Sequence, residues 1–459
     1  MGDDSPPPAG RFAAVMKAGL RRHLGSETRR RLASGAFWGG VGFGLSRCVS
    51  ILVSFALARL LGPAQFGEYG IVNSTAGMIG GMAGLGIGAT VVKHIAEFKV
   101  SAPEKASRIL ALSSLVTWCS AFVYAVAYMV FAPWLARNAL AAPHLAPLLK
   151  ISAFTLAFGL VNSVQGSSLI GCEAFRINTV LSVVCSIGQS VLVALGAFFW
   201  GVQGAVGGLA LAMLITVLLT RWSVRHVWGK FRLGLTWKGA FREWRVLWDF
   251  SLPTFLSGVS VAPVLWGCSA MLAHQADGYA ALGVYGAANQ WYQAILVVPG
   301  LLGMALLPIL ADKQGRGEGD RGLALMWKMV GINALVTLPL ALVFSLASPW
   351  IMRAYGSSFA GGHWVLTCVS FAAALLAILH PVGNLLAAKG RMWACFWLNT
   401  GWGTAMLGFS WGMVKWGAVG LAVAQLLAYL CHTLWTLGYI LLVSRSGRRD
   451  CSCIRAVSG

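Results

Sequence analysis

The residue best placed to do chemistry, by its position alone, is an arginine set in an apolar stretch. Arg47 lies inside residues 33–60, where most neighbours are apolar or small. A guanidinium at mid-membrane depth costs roughly 2.5–3.5 kcal/mol on insertion scales, so it must be solvated, paired or facing water. Its planar, permanently charged fork suits an anion of the phosphate class. Lys150 offers another cation at the start of a later apolar stretch, and Arg176 and Arg391 stand in two short polar turns. Uncharged polar residues within apolar stretches are Asn162 and Gln165, then Asn289, Gln290 and Gln293, then His380 and Asn384. Gln290 and Gln293 share a helical face, as do His380 and Asn384. Such groups can bond a polar ligand or join helices to one another, the latter worth about 0.6 kcal/mol per bond. Arg59 and Glu68 flank a turn, where they form either a gate or a simple pair. No catalytic set is visible: the eight His residues have no metal-ligand spacing, and no metal or cofactor is expected.

The elements that must position these residues follow from composition. Hydrophobic residues make up 58% of the 459-residue chain and charged ones 11%, against about 25% charged in a soluble domain. Apolar stretches of 18 residues or more recur, which is the length needed to cross a bilayer. Open sheet cannot span lipid, and a barrel would read as short alternating strands. The fold class is therefore an all-α polytopic membrane protein. Spans are expected near 33–60, 67–92, 108–133, 146–171, 178–200 and 203–221, then near 249–273, 280–311, 323–347, 362–388, 393–413 and 417–443.

The net charge of +21 does not indicate nucleic-acid binding, because the basic residues cluster between spans. Of the 35 Lys and Arg, 29 fall on one side of a twelve-span arrangement, which places both termini in the cytoplasm. The far side keeps Arg59, Arg137, Lys150, Arg353 and Lys415. Residues 1–31 are polar and Arg-rich, so no cleavable signal is expected. The Cys451 and Cys453 pair lacks partner ligands and implies no metal site.

The organisation expected is a basic N-terminal segment (1–32), a six-helix lobe (33–221), a linker (222–248), a second six-helix lobe (249–443) and a tail (444–459). The linker interleaves basic residues with Trp222, Trp228, Trp237, Trp244 and Trp248, which fits a helix lying in the headgroup layer. The lobes show internal similarity: GEYG at 67–70 matches GVYG at 283–286, GAVGG at 204–208 matches GAVGL at 417–421, and Arg176 matches Arg391. These offsets of 213–216 residues predict a parallel repeat.

Residues 55–97, FALARLLGPAQFGEYGIVNSTAGMIGGMAGLGIGATVVKHIAE, resemble the opening hairpin of polysaccharide transporters. These are the O-antigen and exopolysaccharide flippases of the multidrug/oligosaccharidyl-lipid/polysaccharide (MOP) superfamily. The resemblance continues through GSSLIGCEAFRINTVL (166–181), DFSLPTFLSGV (249–259) and GNLLAAKGRMWACFWLN (383–399). It implies two bundles of six helices around a central cavity that opens to alternate sides of a bacterial inner membrane. The cargo it implies is an undecaprenyl-pyrophosphate-linked oligosaccharide, with polysaccharide polymerase and chain-length machinery as protein partners. Among the candidates, Arg47, Lys150, Arg176 and Arg391 would then meet the anionic end and the amides the sugar.

Two other readings use the same spans. A cation-coupled multidrug exporter would want acids inside a lobe, yet Glu68, Glu97, Glu173, Asp249 and Asp277 sit near span ends. A membrane polysaccharide polymerase would want a sizeable outer loop or an acid/base set. A non-enzymatic flippase is expected.

Overall fold

The computed structural model describes residues 26–246, 261–315 and 319–457, nearly all of them helical. In chain order the helices are α1 (Ser26–Ala83), α2 (Ile87–Phe98), α3 (Pro103–Trp134), α4 (Ala146–Gly171), α5 (Phe175–Lys230) and α6 (Val261–Ala273). There follow α7 (Gly278–Ile295), α8 (Val297–Gly315), α9 (Gly319–Tyr355), α10 (His363–Ala388), α11 (Met392–Met413) and α12 (Gly417–Val457). Seven helical runs among the described residues are long and apolar enough to cross a membrane. The expected N-terminal segment lies largely outside the described residues, as do Asp249 and the first part of the span expected over 249–273.

Two helices bend where a turn between spans is expected. α5 has 56 residues, and a straight helix of that size would be about 84 Å long, far more than the hydrocarbon thickness. α5 therefore breaks at Trp200 and Gly201, and α1 breaks at Gly62, with φ of +57° at Gly201 and +71° at Gly62. Glycine takes that left-handed region without penalty. The arms of α5 then lie back to back. A Cβ on Gly196 would collide with the carbonyl of Gly204, and one on Gly208 with that of Leu192. Pairing 196 with 204 and 192 with 208 makes an antiparallel hairpin, with glycine letting the backbones touch.

Neighbour relations recur along the chain. The second arm of α1 runs beside α4, with Gly80 by Leu156 and Gly84 by Leu160, and α2 continues the line with Gly88 by Ser163. In the second half α7 and α8 run beside α10 in the same sense, with Val284 by Gly362 and Gly303 by His380. The first arm of α1 lies by the start of α5, where Gly42 meets Thr179; α6 lies by α11, where Gly267 meets Leu407.

Instead of an interfacial helix starting at 222, α5 runs on to Lys230, and the chain then folds back against the first half. The Gly234 N–H donates to Ser107 Oγ at 3.1 Å, and the Arg108 guanidinium donates to Glu243 Oε1 at 3.2 Å. Leu233 and Ala240 are buried there, while Trp237, Phe241 and Trp244 stay exposed. A protruding helix end and a helix lying in the interface both want Trp and Arg at the water boundary, so the pattern alone does not separate them. Nearby, Lys99 Nζ meets Glu173 Oε1 at 2.7 Å and also donates to the Gly171 carbonyl, tying the end of α2 to the α4–α5 turn.

Candidate functional site

The first arm of α1 delivers Arg47 to the joint with α7. Its Nη2 donates to both the backbone carbonyl and the side-chain Oε1 of Gln290, the latter at 2.9 Å. A helical carbonyl has a second lone pair for such a contact. Two residues singled out from sequence thus meet across 243 positions. Arg47 Nε is buried without a hydrogen-bond partner, and none of the ion pairs among the described residues involves Arg47. A guanidinium carries five N–H donors. Neutral acceptors on one residue leave this half-buried cation under-satisfied, and an anion would complete it.

The other candidates divide by location. Asn162 Oδ1 accepts from Thr220 Oγ1 at 2.9 Å, a helix-to-helix bond. Gln165 is buried on α4, and its Oε1 has no partner. Asn384 Nδ2 lies 3.5 Å from both the Gly303 carbonyl and His380 Nδ1, so the face expected for His380 and Asn384 is present and packs on glycine. Asn289 is half-buried and Gln293 exposed. Lys150 is exposed at the start of α4. Arg176 is exposed with its guanidinium 5.7 Å from the Trp38 ring, and Arg391 is exposed with Nη1 donating to Tyr439 Oη at 3.4 Å. Arg47 and Gln290 are therefore brought together, whereas Lys150, Arg176 and Arg391 stand at helix ends.

Arg59 and Glu68 do not pair with each other. Glu68 Oε1 meets His144 Nε2 at 2.9 Å, and Arg59 Nε donates to the Ala354 carbonyl at 2.9 Å. Both belong to a wider joint near the bend of α1 and the end of α9. Ser54 Oγ and Tyr355 Oη are 3.1 Å apart, and Phe55 stacks on Tyr355 at 4.1 Å. Tyr279 Oη donates to the Leu140 carbonyl at 2.7 Å, and Trp266 Nε1 to Thr75 Oγ1 at 2.8 Å. The backbones touch as well: a Cβ on Gly67 would strike the Tyr279 carbonyl, and one on Gly283 the Pro63 carbonyl. Gly67 and Gly283 are the repeat-related glycines, and Pro63 and Tyr279 are also 216 apart, so the two contacts are mates. Tyr355, Thr75 and Trp266 are not evident from sequence, because an apolar pattern carries no signal for the partner of a single hydroxyl or indole.

Cavities of about 700 and 520 Å³ open elsewhere, the larger between α6, the end of α11 and Ala139, and the smaller between α11 and α12. Neither is lined by Arg47. No cluster of three or more His, Cys, Asp or Glu that could hold a metal occurs among the described residues.

Comparison with known proteins fits this architecture. Residues 32–314 match the family model described as polysaccharide biosynthesis protein. The EPS I polysaccharide export inner membrane protein EpsE of Ralstonia nicotianae is 28% identical over 43% of this chain, and the match spans 46% of that relative's length. The succinoglycan biosynthesis transport protein ExoT of Rhizobium meliloti is 24% identical over 85% of this chain and 75% of its own. Among solved structures, an inward-facing multidrug resistance MATE family transporter of the MOP superfamily superposes with a TM-score of 0.74 at 16% identity, covering 87% of this chain and 96% of that one. Lipid II flippase MurJ in an inward closed conformation gives 0.67 at 15% identity, covering 88% and 87%. The fold is that of these transporters, and with the family model matching well over half of its length the chain belongs to the polysaccharide biosynthesis protein family.

Proposed function

We propose that the protein flips a polyprenyl-pyrophosphate-linked oligosaccharide, an O-antigen or exopolysaccharide unit, from the cytoplasmic to the periplasmic leaflet by alternating access. The observation that carries this reading is the Arg47–Gln290 joint, a cation at span depth held by neutral acceptors where the first half meets the second. An anionic headgroup placed there would contact both halves. Differential contact of this kind is what lets a cargo shift one state toward the other. The export relatives and the lipid II flippase fold support the cargo class, and the bonds gathered from Arg47 to the outer turns support a resting form closed outside and open inside. Loss of the gene should leave lipid-linked glycan on the cytoplasmic leaflet and remove surface polysaccharide. Unchanged surface glycan with heightened sensitivity to cationic dyes would favour a multidrug exporter instead.

The same reading divides the chain into two six-helix bundles of twelve spans, with both termini cytoplasmic in a bacterial inner membrane. Reporter fusions after residues 62, 140 and 355 should all read periplasmic. One cytoplasmic result would break that topology.

A further inference from the structure

The larger cavity marks a place where the two halves of the outer joint are not alike. Residues 216 apart are mates in the repeat, as Gly67 with Gly283 and Pro63 with Tyr279 show. By that relation Ser54, Phe55 and Tyr355 correspond to Ala270, Met271 and Ala139. On one side, Tyr355 fills the joint completely: its side chain is fully buried, stacked on Phe55 and bonded to Ser54. On the other side, the mate of that plug is Ala139, and Ala139, Ala270 and Met271 line an open cleft of about 700 Å³. An alanine thus lines the cleft where its mate at an offset of 216 is a tyrosine.

Its walls identify an occupant. Trp266, Met271 and Trp411 give it a polarisable apolar surface suited to an unsaturated branched hydrocarbon. The polar lining is confined to His274, Gln275 and Lys415, too sparse to satisfy an oligosaccharide's hydroxyls. Lys415 is exposed in the outer turn and enters none of the ion pairs among the described residues. Asp277, in the turn after α6, is the acid next along the chain from His274. The cleft is shared between the end of the α3 segment, which supplies Ala139, and α6 with α11. We propose that this cleft is an outer-leaflet lipid site, which takes the polyprenyl chain of the cargo as it leaves and sets its phosphate against Lys415. The proposal deepens the flippase reading and rests on it.

The test uses the full-length protein in nanodiscs with a photoactivatable undecaprenyl phosphate. Label should appear on residues 261–275 or 411–415, and excess unlabelled undecaprenyl phosphate should lower it about tenfold, whereas equal phosphatidylglycerol should not. Ala139→Tyr, which supplies the missing plug, should cut labelling by about tenfold and slow glycan export. Gly412→Trp serves as a second blocker, since a Cβ at Gly412 enters open space, and it keeps the test valid if Ala139→Tyr does not accumulate. No label in the cleft, equal competition by phosphatidylglycerol, or wild-type labelling in both variants would overturn the proposal. Normal export with a blocked cleft would overturn the exit role alone and leave the flippase standing. A wild-type protein that labels but moves no lipid-linked glycan would overturn the reading beneath it as well.

Discussion

Arg47→Ala is expected to leave the protein at normal abundance in the membrane while glycan export falls below about a tenth of wild type. The size follows from the bond an anionic cargo would no longer make: a hydrogen bond to a charged group is worth about 1.5–3 kcal/mol, or roughly ten- to a hundredfold in rate if it is made in the rate-limiting step. Normal abundance is expected because the substitution removes a half-buried, under-satisfied charge. Arg47→Lys keeps the charge but not the fork, so it should retain partial export. Surface glycan and the lipid-linked pool, measured together in both variants, check this. Wild-type export by Arg47→Ala would show the charge is unused; loss of the protein from the membrane would make Arg47 a strut between α1 and α7.

Gly283→Leu should hold the outer joint apart. At Gly283 the backbone lies against the Pro63 carbonyl, and the mate contact is Gly67 against Tyr279. Neither contact has room for a β-carbon. Inserting bulk into a packed site usually costs about 1–3 kcal/mol. Here the strain falls between two parts that alternating access, as proposed, would separate, so parting them relieves it. The variant should accumulate, fail to export, and expose the plug: a cysteine put in place of Ser54 should react with a membrane-impermeant maleimide from outside far faster than in an otherwise wild-type chain. Unchanged protection of that cysteine together with normal export would rule out the wedge.

How much of this is legible in the sequence depends on whether a feature is carried by periodicity or by side-chain partnership. Helix positions follow from apolar length, and the bends at Gly62 and Gly201 fall where turns between spans are expected. The Gly67–Gly283 relation is visible as a repeat, although nothing in the repeat says that the mates touch. Arg47 stands out through its cost in lipid, yet its partner does not, since Gln290 resembles Gln293 in the sequence and only the roll of α7 chooses between them. Arg59 and Glu68 look like a pair because they flank one turn; the break at Gly62 instead sends Glu68 to His144 and Arg59 to Ala354.

On the flippase reading, the hydrogen bonds of this joint would also set a resting population. Arg47–Gln290, Ser54–Tyr355, Arg59–Ala354, Tyr279–Leu140 and Trp266–Thr75 are few and mostly uncharged. At about 0.6 kcal/mol each within a membrane protein, they bias the equilibrium by roughly 3 kcal/mol. That is on the order of a hundredfold, a bias that on the proposed reading would favour the joined form while no cargo is bound. It is also small enough for one or two charge-assisted bonds from a pyrophosphate, at about 1.5–3 kcal/mol each, to reverse. A joint stapled by several buried ion pairs would have kept the molecule waiting just as well and then never let it turn.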